Sequence, residues 1–254
     1  MLRPAHLLRS EKIAAHITEN PVTLAVLLCV AWILPGLIGH DPWKPDEAHT
    51  FGVVYQLLKD GDWVVPMLAG EPFLDKPPLI YLTAALTGTL FSPILPLHDG
   101  ARLAAGVYMA VAFLFIALTA RELYGSTKSW VAALMLLGCG GLLLRGHQLI
   151  ADTALLAGLA IGLYALAISA RRPLIAGLWL GTGLGICVLS EGLVEPVMLM
   201  LTVVLLPLVS SHWRTRYYLL TVVVALVVLG SLALSGLMAV AGLTGVAGLT
   251  GVTL

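Results

Sequence analysis

Charged side chains of the kinds used in group-transfer chemistry occur in three short segments of this chain. Segment 44–49 reads KPDEAH, and its Asp46 and His49 stand three positions apart, so they share one face of a helix. Segment 75–78 reads DKPP, and segment 145–152 contains an arginine, a histidine and an aspartate. A carboxylate can take a proton from an acceptor hydroxyl, and a lysine or arginine can hold a phosphate. Two carboxylates can share a divalent cation such as Mg²⁺ or Mn²⁺.

Each of these side chains also has a purely structural explanation. Asp46 follows Pro45, and an acid at this position stabilises the positive end of a helix. Asp152 would serve as the N-cap of the helix that follows it. Asp75 and Lys76 would form a solvated surface pair that contributes little. The histidines would be interfacial residues without a ligand, so no single residue type identifies a site by itself.

The composition predicts an all-α, polytopic membrane protein. The chain has 254 residues, of which 59% are hydrophobic and 11% charged, and its mean hydropathy is +0.97. A soluble domain has about a quarter of its residues charged, and a membrane supplies the apolar solvent that this chain requires. The formal net charge is zero, which disfavours nucleic acid as a partner. The three cysteines lie in apolar runs and are interpreted as small buried hydrophobic residues.

Apolar runs predict seven transmembrane helices, each close to the length that crosses a bilayer. They are 22–40, 102–121, 129–147, 152–170, 174–190, 194–210 and 217–238. An eighth run, 79–95, contains several Thr residues, a Gly and a Pro. Basic residues cluster at the N-terminus and in the segments 121–128, 171–172 and 214–216. If 79–95 crossed, the last three clusters would lie on the opposite side from the N-terminus, against the positive-inside rule. We therefore predict that 79–95 stays outside, with the N-terminus in the cytoplasm and the C-terminus outside.

The resulting organisation places one long segment outside the first span. The predicted parts are a cytoplasmic N-terminus (1–21), a first transmembrane helix that acts as an uncleaved signal anchor (22–40), an external loop (41–101), six further transmembrane helices (102–238) and a tail with two VAGLTG repeats (239–254). The external loop has aromatic residues and helical apolar spacing, which predicts juxtamembrane helices, the first of them an amphipathic helix lying on the outer membrane face. It also contains two of the three charged segments, which makes it the predicted location of the active site.

The order of these segments resembles a known family. Residues 46–82, DEAHTFGVVYQLLKDGDWVVPMLAGEPFLDKPPLIYL, resemble the first external loop of polyprenyl-phosphate-sugar-dependent glycosyltransferases of the C-type membrane fold. That superfamily includes 4-amino-4-deoxy-L-arabinose lipid A transferases and protein O-mannosyltransferases. The matching motifs are Asp46-Glu47, Gly61-Asp62-Trp63, Asp75-Lys76-Pro77-Pro78, Arg102-Leu103, RELYG at 121–125, Ala151-Asp152 and LSEG at 189–192.

The resemblance implies an inverting transfer of sugar from a polyprenyl-phosphate-linked donor to a lipid, glycan or protein acceptor. The protein would lie in the plasma (inner) membrane, surrounded by membrane lipid, with its active face outside the cytoplasm. The implied roles are catalytic for Asp46 and Glu47; donor-phosphate binding for Lys76, His49 and Arg145; and metal binding or completion of the site for Asp75, Asp152 and His147. Family members often have Arg at the position of His49 and Lys at the position of Glu191, and both differences remove positive charge here.

Two other functions remain as alternatives. One is a truncated or accessory membrane protein that binds lipid-linked sugar without turnover, which the changes at His49 and Glu191 motivate. The other is a small-molecule transporter. Transporters need ionisable groups near the membrane centre, whereas the charges of this chain gather between the apolar runs. The sequence therefore disfavours transport.

Overall fold

The computed structural model describes residues 21–60, 66–73, 75–194 and 196–249, without the side chains of 212 and 235–249. The predicted cytoplasmic segment up to residue 20, the Gly61-Asp62-Trp63 motif and the end of the predicted tail (250–254) lie outside these ranges. Within them the chain forms α1 (Pro21–Ile33), α2 (Asp46–Asp60), β1 (Met67–Leu68), β2 (Glu71–Pro72), α3 (Leu79–Phe91), α4 (Leu97–Tyr124), α5 (Ser129–Leu137), α6 (Gly140–Arg145), α7 (Ala151–Ile168), α8 (Pro173–Glu191), α9 (Val197–Val209) and α10 (Arg216–Leu249). Short 3₁₀ turns lie at Leu34–Gly36, Ser126–Lys128 and Ser211–Trp213.

The predicted all-α membrane fold is confirmed. In the described part of the chain, four helices are long and apolar enough to cross a membrane, namely α4, α7, α8 and the Arg216–Leu234 part of α10. Three shorter apolar segments accompany them, at Pro21–Gly36, Leu79–Phe91 and Val197–Val209. The two strands form a small antiparallel hairpin in which Met67 pairs with Pro72. The number of seven spans stays a prediction.

Two predicted spans are interrupted in the structure. The run 22–40 is helical only to Ile33, after which a 3₁₀ turn containing Pro35 leads out of the helix. The run 129–147 divides at Gly138–Cys139 into α5 and α6. Glycines at 138, 140 and 141 explain this break, because each costs a helix roughly 1 kcal/mol relative to alanine. Apolar content alone therefore overestimated the length of these helices.

Small residues allow the long helices to approach one another closely. A Cβ atom added at Gly158 of α7 would lie 2.7 Å from the carbonyl oxygen of Gly183 on α8. On the other face of α8, glycines recur at every fourth position, at Gly177, Gly181 and Gly185. A Cβ at each would lie 2.5–2.6 Å from a side chain of α10. Such small-residue stripes are typical of helix packing in membranes.

One ion pair and one helix hairpin show which helix ends lie together in the bundle. Arg171, which follows α7, binds Glu122 near the end of α4 at 3.0 Å, so α4 and α7 run in the same direction. α3 packs antiparallel against the beginning of α4, with the Tyr108 hydroxyl 3.2 Å from Thr83 and the Thr87 hydroxyl 3.3 Å from the Ala101 carbonyl. This hairpin leaves the start of α4, the start of α7 and the end of α8 at one end of the bundle.

The loop helix α2 is packed into the protein. Its apolar residues Val53, Val54 and Leu57 are buried against α3 and the start of α4. The sequence predicted an amphipathic helix lying on the membrane face. In the structure the apolar face of α2 is covered by α3 instead, because 79–91 folds back as a helix beside it. This packing fixes the position of the first charged segment.

Candidate active site

Glu47, in the first turn of α2, is a buried carboxylate with internal partners. It is 2% exposed. Arg102 donates from Nε to Glu47 Oε1 at 2.6 Å, and the backbone N–H of Leu149 donates to the same oxygen at 3.1 Å. The N–H of Trp43 donates to Oε2 at 2.9 Å. Both carboxylate oxygens are therefore engaged inside the protein, away from the surface where a substrate would bind.

Arg102 is the centre of this buried network. It is fully buried, and its Nη1 donates to Asp99 Oδ1 at 2.8 Å and to the Leu37 carbonyl at 3.2 Å. Its Nη2 donates to the His40 carbonyl at 3.1 Å. The second oxygen of Asp99 accepts the N–H of Gly39 at 3.1 Å. The guanidinium thus joins the segment after α1 and the starts of α2 and α4. Glu47 of α2 extends this connection to the loop before α7, because it also accepts the backbone N–H of Leu149.

The three predicted charged segments meet in one cleft of about 200 Å³ next to this network. Its lining combines acids, bases and a few neutral side chains: Asp46, His49, Thr50, Phe73, Asp75, Lys76, Tyr81, Arg145, Ile150, Ala151 and Asp152. Six of the eight predicted site residues are among them. The two that lie elsewhere are Glu47 and His147. The cleft is therefore built from side chains that are up to 106 positions apart in the chain (46 to 152).

Arg145, at the end of α6, connects two acids of the cleft. Its Nη1 lies 3.4 Å from Asp46 Oδ2 and 3.3 Å from Asp152 Oδ2. All three side chains are about half exposed, so each pair alone contributes little to stability. The arrangement instead keeps a cation between the acid that begins α2 and the acid that begins α7. Both carboxylates stay open to the cleft.

Lys76 is held by an acid from the far part of the chain. Its Nζ lies 2.7 Å and 2.6 Å from the two carboxylate oxygens of Glu191, at the end of α8. The Lys76 side chain is 42% exposed, whereas that of Glu191 is 6% exposed. The residue predicted to bind the donor phosphate therefore already has an anionic partner.

His147 is turned away from the cleft. Its Nδ1 lies 2.9 Å from the Leu143 carbonyl and its Nε2 lies 2.7 Å from the Trp32 carbonyl. Its ring packs on Trp32 with a centroid distance of 4.2 Å. Both nitrogens face backbone carbonyls and neither points into the cleft, so the predicted metal-binding role has no support in this geometry. Nowhere in residues 21–60, 66–73, 75–194 or 196–249 do three or more His, Cys, Asp or Glu side chains form a group that could hold a metal ion.

Tyr81 is a cleft residue that the sequence did not single out. It lies in the first turn of α3, five positions after Lys76, and is 2% exposed. Burial, together with the negative charges of Asp75 and Glu191, raises its pKa to about 12. The phenol is therefore protonated at neutral pH. The sequence shows that Tyr81 follows the DKPP segment closely, but only the fold shows that its side chain reaches the cleft.

Fold and cleft together define a helical membrane protein with a site of mixed charge at one end of its bundle. A family model for dolichyl-phosphate-mannose-protein mannosyltransferase matches residues 75–233. This match covers more than half of the chain, and the chain belongs to that family.

Curated relatives point to the same group of enzymes. The chain is 29% identical over 215 residues to an undecaprenyl phosphate-alpha-4-amino-4-deoxy-L-arabinose arabinosyl transferase of Pseudomonas paraeruginosa, an alignment that covers 81% of this chain and 38% of the relative. It is 31% identical over 120 residues to the transferase of that name from Edwardsiella ictaluri, covering 41% of this chain and 22% of the relative. The chain therefore spans well under half the length of these relatives.

Solved structures agree on the fold. ArnT from Cupriavidus metallidurans, in the apo state and bound to undecaprenyl phosphate, superposes with a TM-score of 0.71 at 22% identity. The superposition covers 85% of this chain and 41% of ArnT. At this identity the comparison shows that the two proteins share a fold.

Proposed function

We propose that this protein is a membrane glycosyltransferase that transfers a sugar from a polyprenyl-phosphate-linked donor to a lipid, glycan or protein acceptor. The observation that carries the proposal is the cleft itself. It contains an accessible carboxylate, Asp46, together with a lysine and an arginine, and it lies at the end of the bundle formed by the starts of α4 and α7. Family membership and the ligand of the solved ArnT structure support the choice of donor.

In the proposed reaction, Asp46 accepts the proton of the acceptor hydroxyl as that oxygen attacks the anomeric carbon. The new bond joins the acceptor oxygen to this carbon, and the bond from the carbon to the phosphate oxygen breaks. The electron pair stays on the departing polyprenyl phosphate, and the Lys76 ammonium stabilises it. A single displacement of this kind inverts the configuration at the anomeric carbon.

Other predicted site residues support this geometry from outside the cleft. Glu47 positions Asp46 by fixing the first turn of α2 to Arg102 and to the backbone of Leu149. His147 joins the end of α6 to the end of α1 through the Trp32 carbonyl. We therefore assign both as positioning residues. Arg145, held between Asp46 and Asp152, keeps its predicted role in binding the donor phosphate.

The predicted Mg²⁺ or Mn²⁺ does not fit the side chains of the cleft. The carboxylates of Asp46 and Asp152 both bind the Arg145 guanidinium, which occupies the position between them that a shared cation would need. His147 directs both ring nitrogens at backbone carbonyls. The proposed reaction accordingly contains no metal-dependent step, and transfer should persist in excess EDTA.

A second candidate function has one specific observation in its favour. The pair between Lys76 and Glu191 neutralises the lysine that would bind the donor phosphate. A protein that binds lipid-linked sugar weakly, and passes it on without turnover, would be consistent with such a pair. This accessory function differs from the enzyme in having donor binding without product formation.

The deciding experiment is sugar transfer from a labelled polyprenyl-phosphate donor in membranes that contain the protein. Asp46→Asn removes the proton acceptor with little change in shape, and should lower the rate by about 10²- to 10⁴-fold, the usual contribution of a general base. Lys76→Ala should abolish both transfer and donor binding.

Matched controls come from the other end of α2. Asp60→Asn and Lys59→Ala make the same chemical changes at exposed positions outside the cleft, and both should leave transfer unchanged. Donor binding without transfer in the unmodified protein would favour the accessory function. Equal transfer by the Asp46 and Asp60 variants would show that the cleft is not the active site.

A further inference from the structure

Tyr81 presents to the cleft a hydroxyl group that no group of the described residues binds. Its ring is packed among buried residues of α2 and α3, including Val53, Val54 and Ala84. Its side chain lines the cleft, and the hydroxyl has no hydrogen-bond partner among the residues that the structure describes. Among the described residues, the one fully buried side-chain nitrogen or oxygen without a hydrogen-bond partner is Trp32 Nε1, so the unpaired Tyr81 oxygen is not fully buried. The Tyr81 hydroxyl is therefore open to the cleft.

The surroundings of Tyr81 make it a hydrogen-bond donor and exclude it as a base. Asp75 and Glu191 lie near enough that their negative charges, added to burial, raise its pKa to about 12. Loss of its proton would place a third negative charge beside these two carboxylates. A neutral phenol here can donate to an oxyanion without itself adding negative charge.

The position of Lys76 identifies the oxyanion. Its ammonium binds the carboxylate of Glu191, and Lys76 and Tyr81 both line the cleft. An anion that binds Lys76 from inside the cleft would therefore occupy the space that the Tyr81 hydroxyl faces. In the proposed function that anion is the donor phosphate.

We propose that the Tyr81 hydroxyl donates a hydrogen bond to the donor phosphate beside Lys76 and acts as a second catalytic stabiliser of the departing phosphate. This inference rests on the proposed function. As the bond from the anomeric carbon to the phosphate oxygen breaks, the electron pair remains on that oxygen and Tyr81 keeps its proton. The acceptor proton goes to Asp46, so the reaction stays balanced without any proton from Tyr81.

The test compares two tyrosines of the same helix hairpin. Tyr81→Phe removes the cleft hydroxyl and keeps the packed ring. Tyr108→Phe removes a hydroxyl that binds Thr83 between α3 and α4, away from the cleft lining. The readouts are equilibrium binding of radiolabelled polyprenyl phosphate to the purified full chain in nanodiscs, kcat/KM for transfer, and thermal unfolding.

A hydrogen bond to a charged group contributes about 1.5–3 kcal/mol. By the tenfold rule of about 1.4 kcal/mol, Tyr81→Phe should weaken phosphate-lipid binding and kcat/KM by roughly 10- to 100-fold. Tyr108→Phe should change both by less than about twofold, and the two variants should unfold at similar temperatures.

The outcomes separate this inference from the proposed function. If the unmodified protein binds polyprenyl phosphate and Lys76→Ala loses it, while Tyr81→Phe binds normally, the role of Tyr81 is refuted and the proposed function stands. If the unmodified protein does not bind polyprenyl phosphate, the proposed function fails and the role of Tyr81 fails with it. Loss in the Tyr108 variant equal to that in the Tyr81 variant would refute a specific contact with phosphate.

Discussion

Arg102→Met should strongly destabilise the protein, because it removes the guanidinium that binds both buried carboxylates, Glu47 and Asp99. Arg102 makes four hydrogen bonds, to Glu47, Asp99 and the carbonyls of Leu37 and His40. The three charged side chains of the network are at most 3% exposed. Removing one partner of a buried ion pair costs about 3–5 kcal/mol, since the remaining charge is no longer compensated.

Thermal unfolding of the purified protein in nanodiscs would measure this cost. For a chain of this size, about 1 kcal/mol corresponds to roughly 2–4 °C in Tm, so the expected decrease is on the order of 10 °C. The matched control is Arg171→Met. Arg171 also forms an ion pair, with Glu122 at 3.0 Å, but its side chain is 68% exposed. Breaking an exposed pair costs less than about 1 kcal/mol.

The comparison of these two arginines decides whether the buried network supports the site. A Tm for Arg102→Met within about 2 °C of that for Arg171→Met would refute the reasoning. It would mean that water reaches Glu47 and Asp99, or that the first turns of α2 and α4 do not depend on the guanidinium. Donor binding should decline with Tm in the Arg102 variant, because the network fixes the start of α2.

Three further predictions test other parts of the structure. Glu191→Gln removes the carboxylate that competes for the cleft lysine, so it should tighten polyprenyl phosphate binding several-fold; an unchanged affinity in the nanodisc assay would show that Glu191 does not compete. Gly158→Ala places a Cβ 2.7 Å from a carbonyl of α8 and should lower stability by about 1–3 kcal/mol in thermal unfolding, whereas Gly140→Ala, with nothing within 4 Å, should raise it by up to about 1 kcal/mol. In a variant without native cysteines, a cysteine at exposed Glu71 should react with an impermeant thiol reagent in intact cells and one at exposed Lys128 only after permeabilisation, and the reverse pattern would overturn the orientation.

Much of the fold followed from the sequence because helices in a membrane depend on local composition. A run of about 20 apolar residues predicts a spanning helix wherever it occurs, and α4, α7, α8 and α10 each lie within or around such a run. The family was also predicted correctly, since its motifs are short and contiguous. What composition did not predict is where a run breaks, as at Gly138–Cys139, because the break depends on glycines inside an otherwise apolar segment.

The residues of the candidate site were likewise predictable only in part from the sequence. The sequence identified Asp46, Lys76 and Asp152 because they stand in motifs. It could not separate Asp46 from Glu47, since neighbouring positions on a helix point about 100° apart, and only packing shows that one faces the cleft and the other faces Arg102.

The other contacts of the site depend on tertiary structure, because they join residues that are far apart in the chain. Lys76 meets Glu191 across 115 positions, and His147 meets the Trp32 carbonyl across the same separation. Composition and spacing determine that this protein forms membrane helices with charged segments between them. The direction of each charged side chain depends on which helices pack together, and that is set by long-range contacts that no local pattern encodes.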